Sequence, residues 1–165
     1  MQQTTLGQIL DDRAARRPAV LATNLKSGIE KILYPVDGDE KSELVDQAAE
    51  AIHADKSRTV ETADGPVFLH VFNPPLRMIL VGAVHISQPL ARMAALAGYE
   101  VVVVDPRKAF ASAARFPGVV VRTDWPDEAL EELAPNLRTA VVTLTHDPKL
   151  DDPALHVALR SDAFY

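Results

Sequence analysis

The chain contains 165 residues, of which 47% are hydrophobic and 24% are charged, and its formal net charge is −6. A chain of this length forms one ordinary domain or two small ones, and the two fractions are typical of a globular protein. No run approaches the ~20 apolar residues of a membrane span. Acidic and basic residues are mixed along the chain, which argues against a nucleic-acid surface. The absence of cysteine excludes disulfides, thiolate metal ligands and thiol nucleophiles. Because the first residues lack the layout of a secretory signal peptide, we expect a cytoplasmic protein.

Residues 1–73 are predicted to form a small α+β module. Apolar residues recur at helical spacing in two segments, and a turn with Gly and Pro separates two strand-like runs. The predicted elements are a helix over residues 5–15, strands over 19–23 and 29–34, a helix over 42–54, and a hairpin with strands 58–62 and 67–72.

After the double proline Pro74-Pro75 the pattern becomes more regular, and residues 76–165 are predicted to form a second domain. Near-continuous valine runs are typical of parallel strands that are covered on both faces. Right-handed crossovers then predict the strand order 3-2-1-4. The fold class is therefore α/β: a Rossmann-like parallel sheet with helices on both faces, preceded by the small α+β module. The predicted strands cover residues 78–81, 101–105, 119–122 and 140–143, and the predicted helices cover 89–97, 109–114, 127–133 and 153–161.

The turn after the first of these strands reads Gly82-Ala83-Val84-His85. Only Gly82 remains of the dinucleotide fingerprint G-x-G-x-x-G, because Val84 and Ser87 occupy the other two glycine positions. The N–H groups of such a turn can hold a phosphate at the start of the following helix, although tight turn geometry alone also accounts for Gly82. The turn therefore indicates the fold more specifically than it indicates a dinucleotide.

A polar pair follows the second valine strand. Asp105 is positioned to accept a hydrogen bond from a ribose hydroxyl. Arg107, two residues further along the chain, would bind a phosphate. An Asp before Pro is also a common turn initiator, and a plain Asp–Arg pair accounts for both residues equally well.

Two histidines lie in loops at the predicted carboxyl edge of the sheet, where ligands of such folds bind. His85 would hydrogen bond a phosphate, act as a general acid, or be a surface or capping residue. His146 follows the fourth strand and lacks a second metal ligand at a fixed spacing, so no metal site is predicted. Around it, Asp147 before Pro148 indicates an Asx-type turn, and Asp152 before Pro153 indicates the N-cap and first residue of the last helix.

Several separated segments between Pro74 and Tyr165 resemble the XdhC/CoxI family. They are Pro-Pro-Leu-Arg-Met-Ile-Leu-Val-Gly-Ala-Val-His at 74–85, Val-Asp-Pro-Arg at 104–107, Phe-Ala at 110–111, Arg-Phe-Pro at 115–117, and Thr-Leu-Thr-His-Asp-Pro-Lys-Leu-Asp-Asp-Pro-Ala-Leu at 143–155. The resemblance implies a maturation factor for molybdenum hydroxylases such as xanthine dehydrogenase. Such factors are implicated in binding the molybdenum cofactor, in supporting its sulfuration and in handing it to the apo-enzyme. The chain differs from the family pattern at Val84, where a glycine is usual, and lacks the Gly-Gly-Cys motif of the N-terminal family domain.

The leading hypothesis is an XdhC-like binding and delivery module with no turnover of its own, whose partner is a xanthine dehydrogenase-type apo-enzyme. Its pyranopterin phosphate would lie in one crevice lined by Gly82, Ala83, His85, Asp105, Arg107 and His146. The alternatives are an NAD(P)-dependent oxidoreductase, indicated by the βαβ unit, and a degenerate scaffold whose crevice is filled by Val84 and its neighbours.

The last residues, Ala163-Phe164-Tyr165, follow a helix at a point where relatives continue into another strand. We therefore expect a Rossmann-like domain that is incomplete at its C-terminal end, with an exposed edge beside strand 140–143. Because exposed edges are usually covered by another element or chain, a homo-oligomer, in particular a two-fold dimer, is predicted. A truncated chain whose edge is merely solvated is the alternative.

Overall fold

The computed structural model describes residues 3–36 and 42–165. The chain divides into two compact units, Met1–Pro74 and Pro75–Tyr165. Among the described residues, no helix has the length and apolar character needed to cross a membrane.

The first unit contains an antiparallel sheet of four strands in the order β2-β1-β4-β3. Its predicted helices and strands are all present, with ends shifted by one or two residues. Helix α2 packs on the sheet through a core of Val20, Ala22, Leu33, Ala48, Val67 and Leu69. The elements are α1 (Gln3–Ala14), β1 (Ala19–Asn24), β2 (Glu30–Leu33), α2 (Glu43–His53), β3 (Arg58–Thr62) and β4 (Gly65–Phe72).

The second unit contains a four-stranded parallel sheet in the order β7-β6-β5-β8, which confirms the predicted order 3-2-1-4. Its elements are β5 (Arg77–Val81), α3 (Ser87–Leu96), β6 (Glu100–Val104), β7 (Val120–Arg122), α4 (Pro126–Leu133), β8 (Thr139–Thr143) and α5 (Pro148–Ala158).

The valine runs are explained by burial on both faces of this sheet. Successive side chains of a strand point to opposite faces, so Val102 and Val104 join the core under α4 and α5, while Val101 and Val103 join the core under α3. A strand that is covered on both sides has no position where a polar residue is favoured, and this is why β6 shows no alternation.

A buried arginine at the amino end of β5 fixes the end of α4. Nη2 of Arg77 donates to the carbonyl oxygens of Leu133 at 2.6 Å and Ala134 at 3.1 Å, and to Oγ1 of Thr139 at 3.1 Å. Carbonyl oxygens at the end of a helix have no N–H donor within the helix. A positive charge at this end is also favourable because of the helix dipole. Arg77 therefore has a structural role in the Pro-Pro-Leu-Arg segment.

The helix predicted over residues 109–114 is wrong. This part of the chain forms successive tight turns, in which the N–H of Phe110 bonds to the carbonyl of Arg107, and the N–H of Arg115 bonds to that of Ser112. The alanines favour a helix, but the carbonyl of Phe110 is taken by the side chain of Arg115 at 2.7 Å. A tertiary contact thus overrides the local propensity.

The predicted start of the last helix is also wrong. Helix α5 begins at Pro148, with Asp147 as its N-cap, and Pro153 lies inside it. Both Asp-Pro pairs have the composition of a helix start, but Oγ1 of Thr145 donates to Asp151 at 2.7 Å and accepts from the N–H of Asp147 at 3.0 Å. These bonds favour the earlier start.

The two Asp-Pro pairs provide a matched test of that correction. Replacing Asp147 by alanine removes the acceptor for the N–H of Lys149, a contact of 3.1 Å, and should lower the free energy of unfolding by about 1 kcal/mol. Replacing Asp152, which is exposed within the helix, should leave it nearly unchanged. Urea unfolding of both variants checks this, and a larger loss for Asp152→Ala would contradict the capping role of Asp147.

The outer edge of β8 is partly occupied by the last two residues. The N–H of Phe164 bonds to the carbonyl of Thr139 at 3.0 Å, and the N–H of Val141 bonds to the carbonyl of Tyr165 at 2.7 Å. The expectation of a wholly exposed edge is therefore wrong for these two positions of the strand.

Candidate ligand-binding edge

The predicted site residues lie in three loops at the carboxyl ends of β5, β6 and β8. Gly82, Ala83 and His85 follow β5, Asp105 and Arg107 follow β6, and His146 follows β8. Because parallel strands end at the same edge of a sheet, these loops are neighbours, and this is the edge at which ligands of such folds bind.

The turn after β5 is held by hydrogen bonds from inside the protein. The N–H of Gly82 donates to the carbonyl of Val104 at 2.8 Å, and the N–H of Ala83 donates to Oδ2 of Asp105 at 2.7 Å. Oγ of Ser87, which is fully buried, donates to the carbonyl of Gly82 at 2.5 Å. The first two N–H groups of the turn are thus engaged in the fold and are not free to bind a phosphate.

Three later N–H groups remain open. Those of Val84, His85 and Ile86 have no hydrogen-bond acceptor within the described residues, and Ile86, the N-cap of α3, offers no side-chain cap. Val84 does not have the positive φ that a glycine would favour at this position, so its side chain is accommodated without strain. Open N–H groups at a helix start favour an anion.

Asp105 is a buried and fully engaged carboxylate. Its oxygens accept from the N–H of Ala83 at 2.7 Å and from Arg107 through the backbone N–H at 2.9 Å, Nε at 2.9 Å and Nη2 at 2.7 Å. Burial by itself raises the pKa of Asp105, but the hydrogen bonds from Arg107 and Ala83 outweigh it and hold the pKa below its usual value. Both oxygens already have partners, which disfavours a ribose at Asp105 and with it the nicotinamide alternative.

Arg107 is held against Asp105 and has one open nitrogen. The hydrogen bond and charge of Asp105 raise the pKa of Arg107, and the charges of Asp147 and Asp151 raise it further. Its side chain is 36% exposed, and Nη1 has no hydrogen-bond acceptor in the described part of the chain. The pair is therefore a rigid connection between β6 and the turn after β5, with one edge of the guanidinium facing outward.

Two residues at this edge were not among the predicted site residues. Nη1 of Arg115 donates to the carbonyls of Ala83 at 2.8 Å and Phe110 at 2.7 Å. The ring of Phe110, which is 44% exposed, lies 4.8 Å from the guanidinium carbon of Arg107 and 5.8 Å from that of Arg115. Both residues belong to the segments that resemble the XdhC/CoxI family, but local sequence gives no indication of a contact with Ala83, 32 positions away.

The loop after β8 places His146 in an unusual backbone conformation. Its φ is +57°, in the left-handed region, which costs a non-glycine residue about 1–2 kcal/mol. The side chain is exposed, as is that of His85. No metal-binding group of three or more His, Asp or Glu side chains occurs in residues 3–36 and 42–165.

The structure thus links Ala83, Asp105 and Arg107 by hydrogen bonds, and Gly82 bonds to Val104 beside them. His146 is adjacent to Thr145, which packs against Gly82. The side chain of His85 is exposed, and its backbone N–H is one of the open groups. The ligand-binding roles of these six residues stay predictions.

Comparison with known proteins identifies the family. The family described as the XdhC Rossmann domain matches residues 78–165, more than half of the chain. A protein of Bacillus subtilis (strain 168), named as a probable subunit of xanthine dehydrogenase, is 30% identical over an alignment of 119 residues that covers 67% of this chain and 36% of that protein. A solved structure described as a xanthine dehydrogenase from Bacillus halodurans covers 98% of this chain with a TM-score of 0.67 and 21% identity, and supports the fold alone.

This chain spans only part of both proteins, about a third of the length of the first and 48% of the second. What those whole proteins do is therefore not transferred with the match. The match to residues 78–165 coincides with the parallel-sheet unit and all six predicted site residues. The chain belongs to the XdhC Rossmann domain family.

Proposed function

We propose that this protein is a cytoplasmic accessory factor for a xanthine dehydrogenase-type molybdenum enzyme. It binds the molybdenum cofactor at the carboxyl edge of its parallel sheet and assists the sulfuration and insertion of the cofactor into the apo-enzyme. It is a binding factor with no catalytic turnover of its own. Family membership, together with the name of the Bacillus subtilis relative, supports the kind of partner.

The observation that carries the proposal is the row of open N–H groups at Val84, His85 and Ile86, beside outward-facing guanidinium edges. The phosphate of a pyranopterin is an anion, and backbone N–H groups and guanidinium groups are its preferred donors. The donor set therefore fits the phosphate end of the cofactor. His85 and His146 are exposed at the same edge, where they would contact the rest of the ligand.

In our proposal, this protein holds the cofactor but does not itself supply the sulfur. The 165 residues contain no cysteine, and we propose that a donor outside these residues brings the sulfur. The bound cofactor supplies the molybdenum chemistry, and this chain orients it through its phosphate. The hydrogen bonds of Gly82 to Val104 and of Ala83 to Asp105 hold the turn in place, which lowers the entropy cost of binding.

The test is to purify the protein from a bacterial host that makes the cofactor and to measure molybdenum by mass spectrometry and released pterin by fluorescence. We expect both to co-purify. Replacing His85 or His146 by alanine should reduce the bound amount about tenfold, because each loses a polar contact with a charged ligand. His53→Ala, at an exposed position of α2, should behave like the unmodified protein.

Two results would contradict this proposal. One is a protein free of molybdenum and pterin that also fails to bind supplied cofactor. The other, directed at the histidines alone, is unchanged cofactor content in both histidine variants while their thermal unfolding matches that of the unmodified protein.

We also propose that the protein forms a homo-oligomer, in particular a two-fold dimer. Phe164 and Tyr165 bond to β8 only at Thr139 and Val141, and no strand pairs with the outer edge of Thr143 in the described residues. Unpaired edges favour association with another chain. Light scattering at micromolar concentration should give about twice the 18.0 kDa chain mass, and a monomer at all concentrations would rule the dimer out.

A further inference from the structure

Arg115 is a fixed cation that forms no ion pair with the described residues. Its guanidinium is held by two neutral acceptors, the carbonyls of Ala83 and Phe110. Its guanidinium carbon also lies 5.7 Å from the ring of Phe116, which is buried. Within residues 3–36 and 42–165, no Asp or Glu forms an ion pair with it. Carbonyl groups orient the guanidinium without neutralising it, so its positive charge remains available.

Unlike Arg115, two other arginines of the parallel-sheet unit form ion pairs with acidic side chains. Arg107 is paired with Asp105 and is also influenced by Asp147 and Asp151. Arg122 is paired with Asp124 and Glu132. Arg107 is therefore neutralised by Asp105 at the carboxyl edge, whereas Arg115 forms no ion pair with a described Asp or Glu.

Arg115 also has free donors in the right place. Nε and Nη2 have no hydrogen-bond acceptor in the described structure, and neither is buried. The bond to Ala83 places the guanidinium one residue before Val84, where the open N–H groups begin. A planar guanidinium with two free nitrogens can donate two parallel hydrogen bonds to the oxygens of a phosphate. A lysine ammonium lacks this bidentate geometry.

We infer that Arg115 binds the phosphoryl group of the ligand at this edge, and that Phe110 is the residue that positions it. The ring of Phe110 contacts the guanidinium groups of both Arg115 and Arg107, which accounts for a phenylalanine exposed at 44% in this loop. The inference rests on the proposed function only in that both concern the same edge. The ligand is a phosphate ester or diphosphate, recognised by Arg115.

The probe is inorganic pyrophosphate, titrated calorimetrically into the full chain at low ionic strength. We expect binding that weakens with salt, because the contact is electrostatic. Arg115→Gln should reduce the affinity about tenfold or more, and Arg115→Lys should recover part of it, since the charge is kept and the planar fork is lost. Phe110→Leu should reduce it severalfold without removing any charge.

The matched control is Arg160→Gln. Arg160 is exposed just after α5, which starts at the carboxyl edge and runs back toward the opposite one. It removes the same charge and should leave pyrophosphate binding unchanged. If Arg115→Gln fails to fold by circular dichroism, Arg115→Lys and Phe110→Leu carry the test. Affinities equal to that of the unmodified protein in the folded Arg115 variants, or no pyrophosphate binding by the unmodified protein, would overturn the inference.

The results that would reject the phosphoryl site differ from those that would reject the proposed function. Pyrophosphate binding that depends on Arg115, in a protein that never carries molybdenum or pterin, would support the phosphoryl site and reject the cofactor. Undiminished molybdenum and pterin in the folded Arg115→Gln protein would do the reverse.

Discussion

Replacing Asp105 by alanine is expected to lower the free energy of unfolding by about 3 kcal/mol. The change leaves the N–H of Ala83 buried without its acceptor and removes the three hydrogen bonds between Asp105 and Arg107. After the loss of the bond from Ala83 to Asp105, the turn after β5 keeps its bond from Gly82 to Val104 at the end of β6. Urea unfolding measures the loss, and ligand binding at the edge should fall with it.

A second arginine–aspartate pair at the same spacing provides the control. Arg122 and Asp124 are also two residues apart and form a 2.8 Å contact, but Asp124 is exposed. Exposed ion pairs contribute little because water and salt screen them. Asp124→Ala should therefore leave stability nearly unchanged, and an equal effect of the two variants would show that burial of Asp105 is unimportant.

The pH dependence of this effect follows from the lowered pKa of Asp105. A carboxyl group whose pKa is lower in the folded state stabilises the protein at pH values above its unfolded pKa, about 3.9. That contribution is lost as the pH falls below about 4, through the folded pKa. The stability difference between the unmodified protein and Asp105→Asn should therefore narrow in acid, and a difference that stays constant through this range would contradict the assignment.

The architecture could be predicted because its signals are local. Valine runs indicated two-sided strands, glycine and proline indicated turns, and the right-handed crossover rule ordered the sheet. The start of α5 could not be predicted, because Asp147-Pro148 and Asp152-Pro153 have the same composition and the choice depends on the bonds of Thr145. The false helix over 109–114 has the same origin, since it is disrupted by a side chain that also reaches back to Ala83.

The candidate site was predicted by position better than by contact. Strand ends indicated which loops would be neighbours, so the edge itself could be located from the sequence. The sequence indicated an Asp105–Arg107 pair as one of two interpretations, and the structure contains that pair. It did not indicate that Ala83 bonds to Asp105 or that Arg115 lies beside the turn. Such contacts join residues up to 32 positions apart, and periodicity contains no information about them.

Gly82→Ala is expected to lower the free energy of unfolding by about 3 kcal/mol, for two reasons that can be separated. The φ of Gly82 is +110°, where side chains are rarely tolerated, and an added Cβ would lie 2.7 Å from Cγ2 and 3.2 Å from the backbone nitrogen of Thr145. Gly98→Ala is the control for strain alone, because Gly98 has a φ of +87° with nothing within 4 Å of an added Cβ; it should cost about 1 kcal/mol.

The contact with Thr145 can be relieved in a second variant. Thr145→Ser removes the methyl group that an added Cβ would meet and keeps the hydroxyl that donates to Asp151 at 2.7 Å. Combined with Gly82→Ala, it should recover about 1 kcal/mol of the loss, as expected when a steric overlap between two neighbours is removed. Thermal and urea unfolding of the single and double variants measure the coupling. A Gly82→Ala protein that is no less stable than Gly98→Ala would show that the approach of the β8 loop to this turn does not require glycine.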